Sequence, residues 1–323
     1  MAIGIAPTVD YAFKRVFGDP RHSRVLVHLL NALFEEQFVV DEVQILNPFL
    51  QEEFVDGKFA ILDLLVQDSE GRKYNLEMQT SRSTTLARRL LYYAARMYCG
   101  QLSKADEYSQ LAPAICVGFL DFHYFRSNAD FHSRFRLSSL PNQLEFSDQL
   151  ELHLVELPKF RGKANDLPAA TRLEKWVYFL RHAAELEMAE IERMFREPVF
   201  VEAGGILEMI SQTPEERILY EMRWKAMLDH RSFLSEARTE ARAEGLAEGR
   251  DVGRQEGRQE GRQEGRQEGR QEGRELGQWI GRIQTLQELQ GEPVASTDEL
   301  AAMSLEQLAL LAQSLQRRPK GDD

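Results

Sequence analysis

KFAILDLLVQDSEGRKYNLEMQ, residues 58–79, reads as two short strands joined by a polar turn. Ile61 to Val66 is an apolar run carrying one carboxylate, Asp63. Asp68, Ser69, Glu70 and Gly71 have turn chemistry, with glycine free to take a positive φ. Tyr74 to Met78 is the second strand, and Glu77 sits inside it. A carboxylate inside an apolar strand is costly to bury unless something pairs with it. Two of them on adjacent strands of a hairpin can converge on one point. Glu77 and Gln79 are two apart and share a face, while Met78 points to the other. Asp63, Glu77 and Gln79 can therefore form a small polar cluster. Such hard oxygen donors suit Mg²⁺, which is often held by one or two carboxylates with water and phosphate completing its shell.

Working outward, TVDYAFKRVF (8–17) begins a helix that Thr8 can cap, with Asp10 in its first turn suiting the helix dipole. Asp19-Pro20 breaks it, and a second helix runs from Arg21 to Glu35 with Val25, Leu29, Leu30 and Leu33 at core spacing. Val39 to Leu46 reads as a strand ended by Asn47-Pro48. After the hairpin, Thr84 to Leu102 is a helix with a stripe of Leu86, Leu90, Tyr93, Ala94, Met97 and Leu102. Ala114 to Leu120 is a continuous apolar run, as a central buried strand requires. The pattern alone gives the order α–β–β–β–α–β. Two more strands are expected between Asp130 and Pro158, then helices from Ala169 to Leu228, interrupted near Glu197-Pro198, Gly204-Gly205 and Thr213-Pro214.

A hairpin with Asp in its first strand and Glu-x-Lys or Glu-x-Gln in its second is similar to the PD-(D/E)XK nuclease core. The form LDLLVQD…YNLEMQ resembles the Rpn group of recombination-promoting nucleases and transposases. PTVDYAFKRVFGD, RRLLYYAARMY and LELHLVELPKF match that family too, so the resemblance covers roughly residues 6 to 240. It implies a mixed α/β, restriction-endonuclease-like core. It also implies that Asp63 and Glu77 bind Mg²⁺, with Mn²⁺ as a substitute, and that the Met78 carbonyl adds a ligand. Gln79 stands where many relatives of the fold have Lys. Some such enzymes place a third acidic residue on the first helix, which makes Asp10 an accessory candidate; a plain dipole residue is the equal alternative. Lys58 can face either the site or solvent.

The chain has 323 residues, 43% of them hydrophobic, which suits a globular body with a sizeable core. No run of 18 apolar residues occurs, so no membrane span is expected, and the N-terminal stretch has no signal-peptide pattern. The expected location is cytoplasmic. Cys99 and Cys116 fall in apolar segments and read as reduced core thiols; the seven histidines show no paired spacing for zinc. The net charge of −12 does not favour nucleic acid globally. Between Arg72 and Lys104, however, seven cations face Glu77 alone, a local +6. Phosphate binding needs only a local basic surface, which makes Arg82, Arg88 and Arg89 candidate DNA contacts; a solvated helix face is the alternative.

Glycine recurs every fourth position from 245 to 281, and residues 253–272 are five copies of Gly-Arg-Gln-Glu. Each glycine costs a helix about 1 kcal/mol relative to alanine. Arg and Glu are two apart, and every i,i+4 pair is like with like, so charges do not rescue a lone helix. A four-residue period nonetheless draws Gly, Arg and Glu stripes that wind slowly around a helix. An assembly or spacer role and plain disorder both stay open. Leu276 to Gln290 and a helix capped by Ser304 then read as an amphipathic helical hairpin, its Ser304 and Gln307 forming a capping box. The expected division is a nuclease-like core (1–160), a helical appendage (161–240), the repeat (241–275) and the terminal hairpin (276–323). Two functions follow: a Mg²⁺-dependent DNA endonuclease, homo-oligomeric through its C-terminal region, or an inactive nuclease fold acting in assembly through its repeat tail.

Overall fold

The computed structural model describes residues 1–35, 37–46, 64–103 and 105–317. Lys58 and Asp63 lie outside the described residues. The chain divides into two compact units, Met1–Leu234 and Ser235–Asp323.

The first unit is built on a six-stranded sheet in the order β1-β2-β3-β4-β6-β5. Its strands are β1 (Val43–Ile45), β2 (Leu64–Asp68), β3 (Lys73–Gln79), β4 (Ala114–Leu120), β5 (His132–Ser138) and β6 (Glu145–Glu156). β3, β4 and β6 run parallel; the other pairs are antiparallel. Every residue of β4 is buried, as its unbroken apolar run dictates. The expected first strand shortens to three residues because the Asn31 amide takes both backbone groups of Val40, donating to its carbonyl and accepting from its N–H at 2.8 Å. Val40 therefore finds its partner in a side chain rather than in the ladder.

The large core covers one face of the sheet. It is filled from α1 (Asp10–Phe17), α2 (Ser23–Phe34), α4 (Arg172–His182), α5 (Met188–Phe195) and α6 (Pro198–Gln212), with Trp176, Phe13, Phe17 and Phe200 among its fully buried side chains. The other face is covered by α3 (Leu86–Cys99), whose Leu86, Leu90, Tyr93, Ala94 and Met97 pack on Ala114, Cys116 and Leu120. Thr8 does not cap α1. Val9 occupies the N-cap, and the Asp10 carboxylate accepts the first-turn N–H of Tyr11 at 2.7 Å, meeting the need that a cap would. Gly204-Gly205 does not interrupt α6. A Cβ on Gly204 would stand 2.9 Å from Ile191 Cδ1, so the glycine lets α5 and α6 approach closely. Only Cys116 is a core thiol; Cys99, at the end of α3, is exposed.

α7 (Pro214–Leu289) begins against this core: Glu216 accepts from Tyr11 and Arg15, and the Tyr220 hydroxyl accepts from the Ala6 N–H at 3.0 Å. It is helical through the whole Gly-Arg-Gln-Glu repeat. Its ten glycines from 245 to 281 cost on the order of 10 kcal/mol relative to alanine. In the second unit the last turns of α7, α8 (Thr297–Ala301) and α9 (Leu305–Arg317) enclose a small cluster of Ile280, Ile283, Leu300, Leu308, Ala312 and Leu315. Ser304 caps α9 reciprocally with Gln307 as the sequence pattern requires. Among the described residues, no helix is long and apolar enough to cross a membrane.

Candidate active site

β2 and β3 pair as an antiparallel hairpin with Leu64 opposite Leu76 and Val66 opposite Tyr74. Asp68 closes the turn. Its Oδ1 accepts the N–H groups of Glu70 and Arg72 at 3.0 and 2.9 Å, and its Oδ2 accepts from Arg72 Nη1 and the Tyr74 hydroxyl at 2.9 and 2.6 Å. Burial and the adjacent Asp68 push the Tyr74 phenol well above its ordinary pKa, so its hydroxyl keeps the proton that it donates to Asp68. The clasp fixes the register of β3 and so fixes which of its side chains face α3.

That face carries Asn75, Glu77 and Gln79, one polar group at every second residue of the strand. Asn75 is fully buried and Glu77 is 2% exposed. Asn75 Nδ2 donates to Glu77 Oε1 at 3.1 Å, and Gln79 Nε2 donates to Oε2 at 3.3 Å. Arg89, one residue before the core-facing Leu90 on α3, donates from Nη2 to the same oxygen at 3.1 Å. The buried charge is thus met by a cation and two amides, which is what makes its burial tolerable. Glu77 pairs in parallel register with Gly118 and Gln79 with Leu120. Asn75 pairs with Cys116, whose thiol is pushed far up by burial and by the nearby Glu77 charge, and is therefore no nucleophile.

The expected residues do not all converge. Glu77, Gln79 and Arg89 meet at one carboxylate. Asp10 contacts the Tyr11 N–H and, at 4.0 Å, Arg223 of α7, and makes no contact with Glu77. Arg88 is exposed on α3. Arg82 lies over the Tyr124 ring, 5.9 Å from its centroid, and reaches the Tyr124 carbonyl at 3.5 Å. Tyr93 packs in the core while Tyr92 is 57% exposed beside Arg88 and Arg89. Asn75 was not singled out from the sequence, although the alternation Asn-x-Glu-x-Gln placed it on the same face.

The loop after β4 was also missed. The fully buried Glu156 accepts from the Tyr124 and Phe125 N–H groups at 2.5 and 3.3 Å and from Lys159 Nζ at 2.6 Å, which holds Tyr124 under Arg82. Arg231 of α7 donates to the Thr80 carbonyl and to Asp121 Oδ2 at 3.0 and 2.9 Å, while the Asp121 N–H reaches the Gln79 carbonyl at 2.8 Å. The C-terminal ends of β3 and β4 are tied together there. In parallel sheets this is the edge where ligands bind.

Two buried polar atoms beside Glu77 have no partner, Asn75 Oδ1 and Arg89 Nε. An unsatisfied amide oxygen next to a carboxylate is a hard oxygen pair, and that donor chemistry fits Mg²⁺ or Mn²⁺. Among the described residues no group of three or more His, Cys, Asp or Glu could hold a metal. A Mg²⁺ site needs only one or two carboxylates. Asp63, which immediately precedes Leu64 in the sequence, lies outside the described residues.

A family model described as PD-(D/E)XK nuclease family transposase matches residues 7–237. No curated protein and no solved structure matches the chain. The matched segment takes in the hairpin, α3, the sheet and the start of α7, so the fold and the carboxylate-bearing strand just described fall within it. The chain belongs to the PD-(D/E)XK nuclease family transposases.

Proposed function

We propose that this protein is a divalent-metal-dependent DNA endonuclease that hydrolyses phosphodiester bonds. The observation that carries the reading is the buried Glu77 carboxylate on the hairpin strand, held by Asn75 and Gln79 on its own strand and faced by Arg89. Asp63 and Glu77 would hold Mg²⁺. When bound, the ion lowers the pKa of its water and neutralises phosphate charge.

The side chains divide the remaining work. Gln79 uses one amide N–H on Glu77, leaving its carbonyl oxygen to orient water by a hydrogen bond; a neutral amide accepts no proton and supplies no cation. Arg89 is 34% exposed and its Nε has no partner, so its guanidinium can turn toward a phosphate while staying near the carboxylate. Arg82, Arg88 and the exposed Tyr92 extend a basic and aromatic surface from that point, the chemistry that tracks a nucleic-acid backbone. The family description and this surface support DNA as the partner. Hydrolysis that stimulates recombination is a more economical role than strand transfer, since no helix-turn-helix or zinc finger is evident in the sequence.

A labelled linear duplex tests this directly. The wild-type chain should cut it in Mg²⁺ or Mn²⁺, not in EDTA, and Glu77→Gln should lower the rate at least 100-fold. One observation favours a second reading, an inactive nuclease fold serving in assembly: Arg89 already neutralises Glu77 with no ion required. Under that reading neither metal nor Glu77→Gln changes any reaction, and purified wild type leaves the duplex intact.

A further inference from the structure

The repeat helix is the largest feature that a nuclease site does not use. Along residues 245–281 every glycine is open: a Cβ added to any of them would meet nothing within 4 Å. This separates them from Gly18 and Gly204, where a Cβ would meet other atoms of the chain at 2.7 and 2.9 Å. Nothing among the described residues requires glycine in the repeat, although glycine weakens this helix at each position. The repeat's Arg and Glu side chains likewise form no ion pair with each other among the described residues; Gln271 instead donates to Glu275 at 3.4 Å. Both observations describe a helix face with no partner among the described residues of its own chain.

The charge order says what fits that face. At about 100° per residue, each glycine has the following Arg on one flank and the preceding Glu on the other. Two copies related by a two-fold axis along their helices, glycine against glycine, set the Arg flank of each against the Glu flank of the other. Turning one copy end for end sets Arg against Arg and Glu against Glu. Electrostatic complementarity therefore accepts the parallel pair and rejects the antiparallel one.

The handedness agrees. A stripe of every fourth residue advances about 40° per repeat, so nine repeats carry it once around the helix, right-handedly, over about 54 Å. Helices brought close by glycines four apart cross in the same right-handed sense, at about −40°. A ring of three would leave an unfilled axis lined by glycine.

We propose that residues 245–281 form a parallel, in-register, right-handed two-helix coil with a second copy of this chain. The proposal stands apart from the nuclease reading. Its consequence for that reading is that one assembly carries two Glu77 sites.

Sedimentation of the full chain should give twice the monomer mass of 37.2 kDa. Direction is read by cross-linking in a Cys99→Ser background, because Cys99 is exposed and Cys116 buried. Gly253→Cys alone and Gly273→Cys alone should each oxidise to a covalent dimer, since a disulfide needs Cα atoms roughly 4.4–6.8 Å apart. A mixture of the two should give no link between unlike chains. Gly257→Leu/Gly261→Leu/Gly265→Leu raises helix propensity yet should weaken association at least tenfold. Replacing Arg258, Arg262 and Arg266 by Glu should give monomers that recover dimer mass when mixed with chains carrying Glu256→Arg, Glu260→Arg and Glu264→Arg. A monomer, a mass above two chains, or links only between the unlike cysteine chains would overturn the proposal.

Discussion

Arg89 Nη2 stands 3.1 Å from Glu77 Oε2, so a cation from the helix that follows the hairpin neutralises the buried carboxylate of its second strand. The two residues are 12 apart in the chain and belong to elements whose packing is set by Leu86 and Leu90 on one side and Cys116 and Leu120 on the other. The site is therefore assembled by the same contacts that close the smaller core.

Removing the cation should expose the cost of burying the charge. Arg89→Met is expected to destabilise the first unit by roughly 1–3 kcal/mol, below the usual figure for a broken buried pair because Arg89 is partly solvated. Adding Glu77→Gln should return a part of that loss, because no charge is then left unpaired. Urea unfolding of both single variants and the double variant measures the coupling; strictly additive effects would contradict it.

Asp68 should matter as much for register as for stability. Asp68→Ala strips two backbone N–H groups, the Arg72 guanidinium and the buried Tyr74 hydroxyl of their acceptor. A loss of about 2–4 kcal/mol is expected. Hydrogen exchange should also show faster opening of β2 and β3 than of β4, which holds its own parallel neighbours.

A buried relay far from the hairpin predicts a pH response. His132 Nε2 and His153 Nδ1 are 2.8 Å apart, and His153 Nε2 lies 2.7 Å from Glu151 Oε1. Glu151 is also held by Arg134 and by Arg136 Nε at 3.0 Å. Burial first, and the neighbouring His153 second, hold the His132 pKa down to about 4, against the pull of Glu151. The unfolded chain thus binds a proton near pH 6.5 that the folded chain refuses until about pH 4. Stability from this group is complete above pH 6.5 and falls as the pH drops through that window, by about 2 kcal/mol at pH 5. His132→Gln should flatten the fall between pH 7.5 and 5 in urea titrations. An equal fall in both proteins would show that His132 does not carry it.

Much of the first unit was legible because its signals are local. β4 coincides with the apolar run 114–120, α3 with the stripe that starts at Leu86, and the turn at Asp68–Gly71 with its residue types. What escaped was set by partners distant in sequence. Val40 lost its strand pairing to the Asn31 side chain, Gly204 served a helix crossing rather than a break, and Glu156 reached back 32 residues to hold Tyr124. Within the site, Glu77 and Gln79 were readable from strand alternation. Asn75 obeys the same alternation, but a lone amide carries little chemical signal in a sequence. Arg89 was readable as a cation but not as the partner of Glu77, because that depends on how α3 seats on the sheet.

Gln79 separates positioning from ligation. Gln79→Ala should slow cleavage by roughly tenfold through loss of an oriented hydrogen bond, with the Mg²⁺ concentration for half-maximal rate unchanged. Glu77→Asp should raise that concentration instead. A Gln79→Ala chain that needed much more metal would place the amide among the ligands.

The most direct measurement is cleavage of supercoiled plasmid by the wild-type chain, Asp63→Ala and Glu77→Ala, each in Mg²⁺ and in EDTA. The account predicts relaxed or linear DNA from the wild type in Mg²⁺ alone, with both variants at least 100-fold slower while keeping the wild-type unfolding free energy to within about 2 kcal/mol. Intact plasmid with clean wild type in Mg²⁺ and in Mn²⁺, or cutting that persists in Glu77→Ala, would contradict it.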